Sequence, residues 1–411
     1  MKRVKSLYKN NKGLLGFMAL SYFDKAVIFL LPILVLQMFG DQSVYLSIEY
    51  IYSITIVIIP FLDLGLGSYF YYIYRNTGHK RAIINKSIKI FHLLYFILCC
   101  IGCILIAIHY FVVPIDQYIV YITSRAIFLA TFAFLSSYYR LINKPEKALF
   151  LTIVANIISL IILLLYVFLD KEFELWVIFI GQILFCVFYF LKTTRYILLK
   201  WHKHYKNLNT VSFLKASLLF AWPTILQVFI MMFVANYGKI FALDKMSLDD
   251  GTLLSLVQRF CMLIHITHTS ILAFIVKDIY TNGSEKEIKK SALMKYIIFI
   301  TASTIFVILL VFCYLEIYNY NFKNFMFVLS GIVAYTYLWC LVSYLELYFS
   351  RENKNIFKLY LACINVVIFV SILSIGSMAY LDKIIIAMFA STLATFGTSV
   401  LLLKYRKYYL S

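Results

Sequence analysis

The chain has 411 residues, of which 63% are hydrophobic, with a mean hydropathy of +0.88 and a formal net charge of +19. Soluble domains are about 45–50% apolar, so this composition excludes an ordinary soluble protein and indicates an integral membrane protein. The positive charge is spread over short loops, which favours attraction to anionic lipid headgroups and not nucleic-acid binding.

Apolar runs recur along the whole chain. A helix needs about 20 apolar residues to cross the roughly 30 Å hydrocarbon core. On this basis the sequence predicts twelve spans, at about 14–39, 45–72, 89–113, 117–139, 148–169, 175–199, 213–240, 252–277, 296–315, 324–349, 357–380 and 384–403. The first run is too long for a signal peptide and contains Asp24 and Lys25, so we interpret it as a retained helix.

Basic residues concentrate in every second connection between spans. They crowd the N-terminus, the loops after spans 2, 4, 6, 8 and 10, and the C-terminus. The alternate loops are short and hold only Lys171, Lys245, Lys323 and Lys383. Cytoplasmic loops of membrane proteins carry an excess of Lys and Arg, so both termini are expected to be cytoplasmic.

The connector KTTRYILLKWHKHYKNLNT is the longest basic one, and it divides the spans into six and six. We therefore expect an N-terminal lobe over 1–205 and a C-terminal lobe over 206–411. Many transporters consist of two such repeated halves with the substrate path between them. The predicted fold class is an all-α integral membrane protein of about twelve helices, in two six-helix lobes around a central cavity.

The eight cysteines all lie inside apolar runs. Cys100 and Cys103 form a C-x-x-C, but no second cysteine pair or histidine pair in a loop accompanies it. Small side chains buried in the membrane explain this pattern better than a metal or redox site does. No metal, cofactor or disulfide framework is expected.

Charged residues also occur inside the predicted spans, namely Asp24, Lys25, Glu49, Asp63, Arg125, Lys239, Arg259 and Glu346. A charge at mid-membrane costs roughly 2.5–3.5 kcal/mol on insertion scales, so such residues should face protein or a water-filled cavity. Lys239 and Glu49 lie near span ends, where side chains snorkel to the interface. Asp24 and Lys25 are not expected to pair, because adjacent residues on a helix do not face each other.

Two of these arginines lie deeper. Arg125 and Arg259 are about 8 residues from the nearest span end, or roughly 12 Å, which is beyond comfortable snorkelling. Arginine suits phosphate because its planar fork binds bidentately and stays charged when buried. An excess of cations in a cavity therefore favours an anionic substrate without identifying it.

His265 and His268 lie three residues apart on one face of span 8. Histidines in such positions are more often packing residues than proton relays. With Asp24, they are nevertheless the candidate groups for coupling to a proton or another ion.

The segment IVIIPFLDLGLGSYFYYIYR, residues 56–75, carries a carboxylate and two glycines just before a belt of tyrosines. Gly65 and Gly67 would let another helix approach closely. Asp63 then has two interpretations: a tolerated carboxylate at a helix end near water, or an inner gate in which it pairs with Lys277 of the other lobe.

FLDLGLGSYFYYIYR resembles the Asp-Leu-Gly-Leu stretch of the polysaccharide transporter family, the Wzx-type O-antigen flippases. This family belongs to the multidrug/oligosaccharidyl-lipid/polysaccharide (MOP) exporter superfamily. ANYGKIFAL in span 7 resembles a second family segment, in which an aspartate or asparagine precedes a basic residue and an isoleucine. The Gly-x-Tyr that follows in the family corresponds to Gly251 here, but Leu253 replaces the tyrosine.

The resemblance implies a flippase that moves an undecaprenyl-diphosphate-linked oligosaccharide, an O-antigen or capsule repeat unit, from the cytoplasmic to the periplasmic leaflet of a bacterial inner membrane. It implies alternating access by a monomeric transport unit, with no catalytic residue and no cofactor. A cationic cavity for the diphosphate would be supplied by Lys25, Arg125, Lys239 and Arg259. Candidate protein partners are the glycan polymerase and its chain-length regulator.

Five alternatives stay open at this point. A structural or scaffold protein would not need Arg125 and Arg259 deep in the membrane. A polysaccharide polymerase usually has a large arginine-containing periplasmic loop, and no such loop is predicted. A membrane acyltransferase lacks a convincing motif. A multidrug exporter of the same superfamily would favour an excess of buried carboxylates, which the spans do not have. A lipid II flippase relative commonly has fourteen spans.

Overall fold

A computed structural model describes residues 2–64, 66, 69, 80–142, 144, 146–204, 210–281, 290–318, 324–351, 354–376 and 378–409. Its long helices are α1 (Lys2–Phe39), α2 (Gln42–Asp63), α3 (Lys80–Phe111), α4 (Ile119–Leu141), α5 (Glu146–Phe168), α6 (Trp176–His204), α7 (Thr210–Ile240), α8 (Leu248–Thr281), α9 (Lys290–Ile317), α10 (Phe325–Arg351), α11 (Asn355–Leu373) and α12 (Tyr380–Tyr409). One further turn of helix, Ala242–Lys245, lies between α7 and α8. These ranges contain no strand, so the predicted all-α fold class is confirmed.

The helices form two compact units. The first unit comprises Met1–Val44 and Ile51–Ile225, and the second comprises Tyr45–Tyr50 and Leu226–Ser411. The division after Ile225 falls inside α7, whereas the predicted lobes 1–205 and 206–411 meet in the connector before that helix. The second unit also includes one short stretch of α2, which matters for the charged residues described below.

Eleven helices among the described residues are long and apolar enough to cross a membrane, and they coincide with eleven of the twelve predicted spans. The twelfth prediction, 252–277, falls on α8, which is 34 residues long and whose last side chains lie outside the description. Every residue of α8 from 251 to 261 is buried in the second unit. Because this stretch is surrounded by protein and not by lipid, it can contain Gln258 and Arg259. The chain is therefore a multi-pass membrane protein.

Helix α2 begins and ends at well-defined caps. Asp41 precedes it and accepts hydrogen bonds from the Ser43 hydroxyl at 2.7 Å and from the Ser43 and Val44 amides at 2.8 and 3.2 Å. The Ser43 hydroxyl and these two amides hold the pKa of Asp41 below its ordinary value. At the other end Leu64 takes the left-handed conformation, with φ of 50°. The helix thus ends at Asp63, inside the predicted span over 45–72, and most of the remaining residues of that span lie outside the description.

The predicted inner gate lies largely outside the described residues. Gly65 and Gly67 fall outside them entirely. Asp63 is the last residue of α2 and Lys277 lies near the end of α8, but the side chains of both are also outside the description. The gate stays a prediction.

Gly181 marks a close approach between α5 and α6 in the first unit. A Cβ at Gly181 would lie 1.7 Å from the carbonyl oxygen of Ala155, and the Gly181 amide donates to Ser159 Oγ at 3.1 Å. We expect Gly181→Ala to push these helices apart and to lower the free energy of unfolding by about 1–3 kcal/mol. Thermal unfolding of the purified protein in detergent measures this effect.

Gly397 on α12 provides the matched control, because a Cβ there would meet nothing within 4 Å. Gly397→Ala should be neutral or slightly stabilising, since alanine favours a helix over glycine by about 1 kcal/mol. Equal melting temperatures for the two variants would contradict the close packing of α5 on α6.

Candidate functional site: a buried charge cluster in the second unit

The second unit contains a cluster of three buried charges, Glu49, Lys239 and Arg259. Their exposed fractions are 1%, 6% and 1%. Lys239 Nζ lies 2.9 Å from Glu49 Oε2, and Arg259 Nε donates to Glu49 Oε1. Each oxygen of the carboxylate thus accepts a hydrogen bond from a different cation.

Two glycines allow the backbones that carry these charges to come together. A Cβ at Gly238, the neighbour of Lys239 on α7, would lie 2.6 Å from a methyl group of Leu254 on α8. A Cβ at Gly251 would lie 3.1 Å from a methyl group of Leu46, three residues before Glu49. Small residues at such contacts let helices approach closely. Both glycines belong to the sequence segments that carry the family resemblance.

The cluster has a net positive charge, because two cations share one carboxylate. Tyr45, which is also fully buried, lies close enough to Glu49 and Arg259 to interact electrostatically with both.

The prediction that Lys239 and Glu49 snorkel to the interface was wrong. Their charges are instead compensated inside the protein, where a paired buried ion is far less costly than an unpaired one.

Arg125 occupies a different environment, in the first unit. It is buried on α4, and its Cζ lies 3.5 Å above the centre of the Tyr52 ring on α2. Phe179 packs edge-on to the same tyrosine, with ring centres 6.0 Å apart. A desolvated guanidinium over an aromatic ring gains about 2 kcal/mol. Stacking occupies the faces of the guanidinium, while its N–H donors point outward in its plane.

Asp24 and Lys25 lie in the first unit on α1. Asp24 is fully buried and accepts a hydrogen bond from Asn156 Nδ2 on α5 at 3.3 Å. Lys25 Nζ lies 3.6 Å from Asp24 Oδ2, with 37% of its side chain exposed. The prediction that these neighbours do not pair was wrong, because the long lysine side chain can bend back towards the preceding residue. Lys25 is therefore only partly enclosed.

A further set of polar residues in the second unit was not assigned from the sequence. Glu346 on α10 accepts from Gln227 Nε2 at 3.1 and 3.3 Å. Lys358 is buried in the first turns of α11 and interacts electrostatically with Glu346. The signal available in the sequence was Glu346 itself, a carboxylate within a predicted span.

His265 and His268 lie on α8 and both face Trp339 of α10, with ring centres 4.5 and 5.7 Å from the indole. Asp24, the third candidate coupling residue, belongs to the first unit. Within the described ranges, no group of three or more His, Cys, Asp or Glu is arranged to hold a metal ion.

Comparison with known proteins gives matches at the level of three-dimensional structure. No protein-family model matches the chain, and no curated protein sequence matches it significantly. An outward-facing MATE family multidrug resistance transporter of the MOP superfamily aligns with a TM-score of 0.64 at 12% identity, over 95% of this chain and 93% of that one. The MATE multidrug transporter DinF-BH aligns with a TM-score of 0.63 at 14% identity, over 96% of both chains.

The lipid II flippase MurJ, in an inward closed conformation, also aligns, with a TM-score of 0.53 at 15% identity over 95% of this chain and 87% of that one. At such low identity these matches are informative about the fold and not about the substrate. The chain has the helical fold of MATE transporters of the MOP superfamily.

Proposed function

We propose that the protein is a flippase that carries an undecaprenyl-diphosphate-linked oligosaccharide from the cytoplasmic to the periplasmic leaflet of a bacterial inner membrane, with both termini in the cytoplasm. The observation that carries this proposal is the net positive cluster of Glu49, Lys239 and Arg259. Two buried cations that share one carboxylate are costly to maintain, and they mark a site that an anion can occupy.

The arrangement around Glu49 suggests how such an anion would bind. One carboxylate oxygen contacts Lys239 and the other contacts Arg259, which is the pattern that two oxygens of a phosphate could reproduce. A diphosphate carries more negative charge than a single carboxylate. Glu49 therefore keeps the two cations paired in the absence of substrate, and the diphosphate competes with it for them.

Arg125 provides the first unit with a buried cation of its own. The Tyr52 ring supports the face of its guanidinium, so that the planar fork is held in one orientation. Pre-organised arginines of this kind suit bidentate phosphate contacts. The proposal assigns Arg125, Lys239 and Arg259 to substrate binding, with Lys25 as a peripheral, partly exposed contributor.

Export of organic cations is a second candidate function. The buried carboxylate of Asp24 favours it, since its hydrogen-bond and ion-pair partners among the described residues are Asn156 and the partly exposed Lys25. Against it stands the excess of cations over carboxylates in the second-unit cluster.

Deletion of the gene in its host distinguishes these functions. If the chain is the flippase, the deletion strain should lose surface glycan and should accumulate lipid-linked repeat units inside the cell. Re-expression of the wild-type chain should restore both, and dye efflux should be unchanged. Intact surface glycan together with reduced efflux of cationic dyes would overturn the proposal in favour of the exporter.

A further inference from the structure

Two hydroxyl groups near the charge cluster lack the hydrogen bond that buried hydroxyls ordinarily form. Thr252 and Ser255 on α8 are both 0% exposed, and neither side-chain oxygen has a hydrogen-bond partner among the residues that the structure describes. Other buried threonines of the second unit donate to the carbonyl four residues earlier, each at 2.8 Å, namely Thr304, Thr336 and Thr395. A buried hydroxyl that is left unpaired costs free energy, so Thr252 and Ser255 require an explanation.

The position of these hydroxyls on α8 relates them to Arg259. Residues 252, 255 and 259 are separated by three and then four positions, so they share one face of the helix. Ser255 lies one turn before Arg259, or about 6 Å along the axis. Because helical side chains lean towards the N-terminus of the helix, the Arg259 side chain extends over the turn that carries Ser255.

A third hydroxyl approaches from α2. Leu46 packs against Gly251 in the first turn of α8, where a Cβ would lie 3.1 Å from a Leu46 methyl group. Tyr45 precedes Leu46 and is fully buried, and its hydroxyl forms no regular hydrogen bond within the described part of the chain. It lies close enough to Glu49 and Arg259 to interact electrostatically with both. Residues 45–50 and α8 belong to the same unit.

The α8 hydroxyls lie between the buried charges and the exposed beginning of the helix. Asp249, in the first turn of α8, is exposed, and Thr252 follows three residues later, after about 4.5 Å of helical rise. Ser255 and Arg259 follow at successive turns. An anion that moves between this end of the helix and Arg259 therefore passes both hydroxyls.

The number of acceptor oxygens in the ligand determines how many of these donors are used. Glu49 has two carboxylate oxygens, which already accept from Lys239 and Arg259. A diphosphate presents more acceptor oxygens than a carboxylate, and hydroxyls form short, charge-assisted hydrogen bonds to such oxygens. Two cations and three hydroxyls therefore match a phosphate group better than they match a carboxylate.

We propose that the hydroxyls of Tyr45, Thr252 and Ser255 donate to the phosphate oxygens that the two cations of the charge cluster leave uncovered. The cations and the hydroxyls together form a site for the diphosphate group of a lipid-linked substrate. This inference deepens the proposed function and rests on it for the assignment of the cluster to substrate binding. It explains why three hydroxyls without regular protein acceptors lie beside two buried cations.

Removal of each hydroxyl separates substrate binding from stability. The three hydroxyl variants are Tyr45→Phe, Thr252→Val and Ser255→Ala. Each deletes a hydroxyl that forms no regular hydrogen bond within the described protein, so each should melt at or above the wild-type temperature in detergent. The rate of surface glycan display in the deletion strain, normalised to protein in the membrane, should fall about 10- to 100-fold, because a hydrogen bond to a charged oxygen is lost.

Thr392→Val is the matched control for these variants. The Thr392 hydroxyl is likewise buried and has no hydrogen-bond partner in the described ranges, but it belongs to α12, which contributes no charge to the cluster. Its removal should also leave the melting temperature unchanged or higher, and it should leave glycan display at the wild-type level.

Inorganic pyrophosphate tests the site without any transport. A ligand that binds the folded state raises the melting temperature as its concentration increases, so pyrophosphate should stabilise the purified wild type in detergent at constant ionic strength. The shift should shrink in the three hydroxyl variants and persist in Thr392→Val. It should vanish in the variant without charges, which combines Glu49→Leu, Lys239→Met and Arg259→Met.

Two further probes distinguish the sources of the phosphate group. Farnesyl diphosphate represents a lipid-linked diphosphate, and dihexanoyl phosphatidylglycerol represents the headgroup of a membrane phospholipid. A larger hydroxyl-dependent shift with farnesyl diphosphate supports the proposal. A larger shift with the phospholipid would assign the site to membrane lipid and overturn it.

The hydroxyl assignment is wrong if the wild type shows no shift with pyrophosphate, or if the three hydroxyl variants bind pyrophosphate and display glycan as the wild type does. A lower melting temperature of Thr252→Val or Ser255→Ala would show that these hydroxyls have acceptors within the protein, which also contradicts it. Loss of binding and display in the variant without charges alone would preserve the proposed function and refute the hydroxyl site. Hydroxyl-dependent binding of pyrophosphate, together with intact surface glycan in the deletion strain, would preserve the anion site and refute the flippase.

Discussion

Glu49→Gln is expected to cause the largest loss of stability among single substitutions in the charge cluster. It would leave Lys239 and Arg259 buried with no carboxylate between them, and removing one partner of a buried ion pair costs about 3–5 kcal/mol. Lys239→Met should cost less, since it leaves a balanced pair of Glu49 and Arg259. Thermal unfolding in detergent, with the amount of protein in the membrane, measures this order. Equal stability of Glu49→Gln and wild type would contradict the assigned pairing.

A variant without charges separates stability from transport at this cluster. Glu49→Leu, Lys239→Met and Arg259→Met together should recover most of the stability, because replacing a whole buried ion network by apolar side chains is often neutral. The same variant should fail to restore surface glycan to the deletion strain. If it restores surface glycan fully, the cluster has a structural role only, and its assignment to substrate binding is wrong.

Arg125→Ala is expected to reduce flipping by roughly 10- to 100-fold, which corresponds to the loss of one charge-assisted contact of about 1.5–3 kcal/mol. Arg125→Lys should restore part of the activity, because lysine retains the charge without the planar fork. The measurement is surface glycan in the deletion strain, normalised to the protein present in the membrane. Arg195→Ala, at an exposed arginine of α6, is the control and should be fully active.

The Tyr52 ring provides an independent test of how Arg125 is held. Tyr52→Phe keeps an aromatic face beneath the guanidinium and should retain activity, whereas Tyr52→Leu removes it and should lower activity. Equal activity of the two Tyr52 variants would show that stacking does not position Arg125. Full activity of Arg125→Ala would remove Arg125 from the proposed substrate site.

The positions of the helices were largely predictable from local sequence. Runs of about 20 apolar residues predict spanning helices because an unpaired backbone group in lipid is too costly, and this reasoning located all twelve long helices. It did not predict the interruption after Asp63, where Leu64 adopts a left-handed conformation and ends α2. It also gave no reason for Gln258 and Arg259 in α8, which are tolerated because protein surrounds this part of the helix.

The partners of the charged residues were not predictable in the same way. Glu49 contacts Lys239 and Arg259 across 190 and 210 residues of chain, so no local spacing relates them. His268 and Tyr296 were visible in the sequence as separate residues, but only the structure brings their side chains to within 2.5 Å of each other. The sequence alone therefore determined the class of protein, its helices and which residues carry charge inside the membrane, since these depend on local hydrophobicity. Only the tertiary structure decided which charges are paired and which ring faces a cation, because those contacts arise when helices distant in the chain pack together.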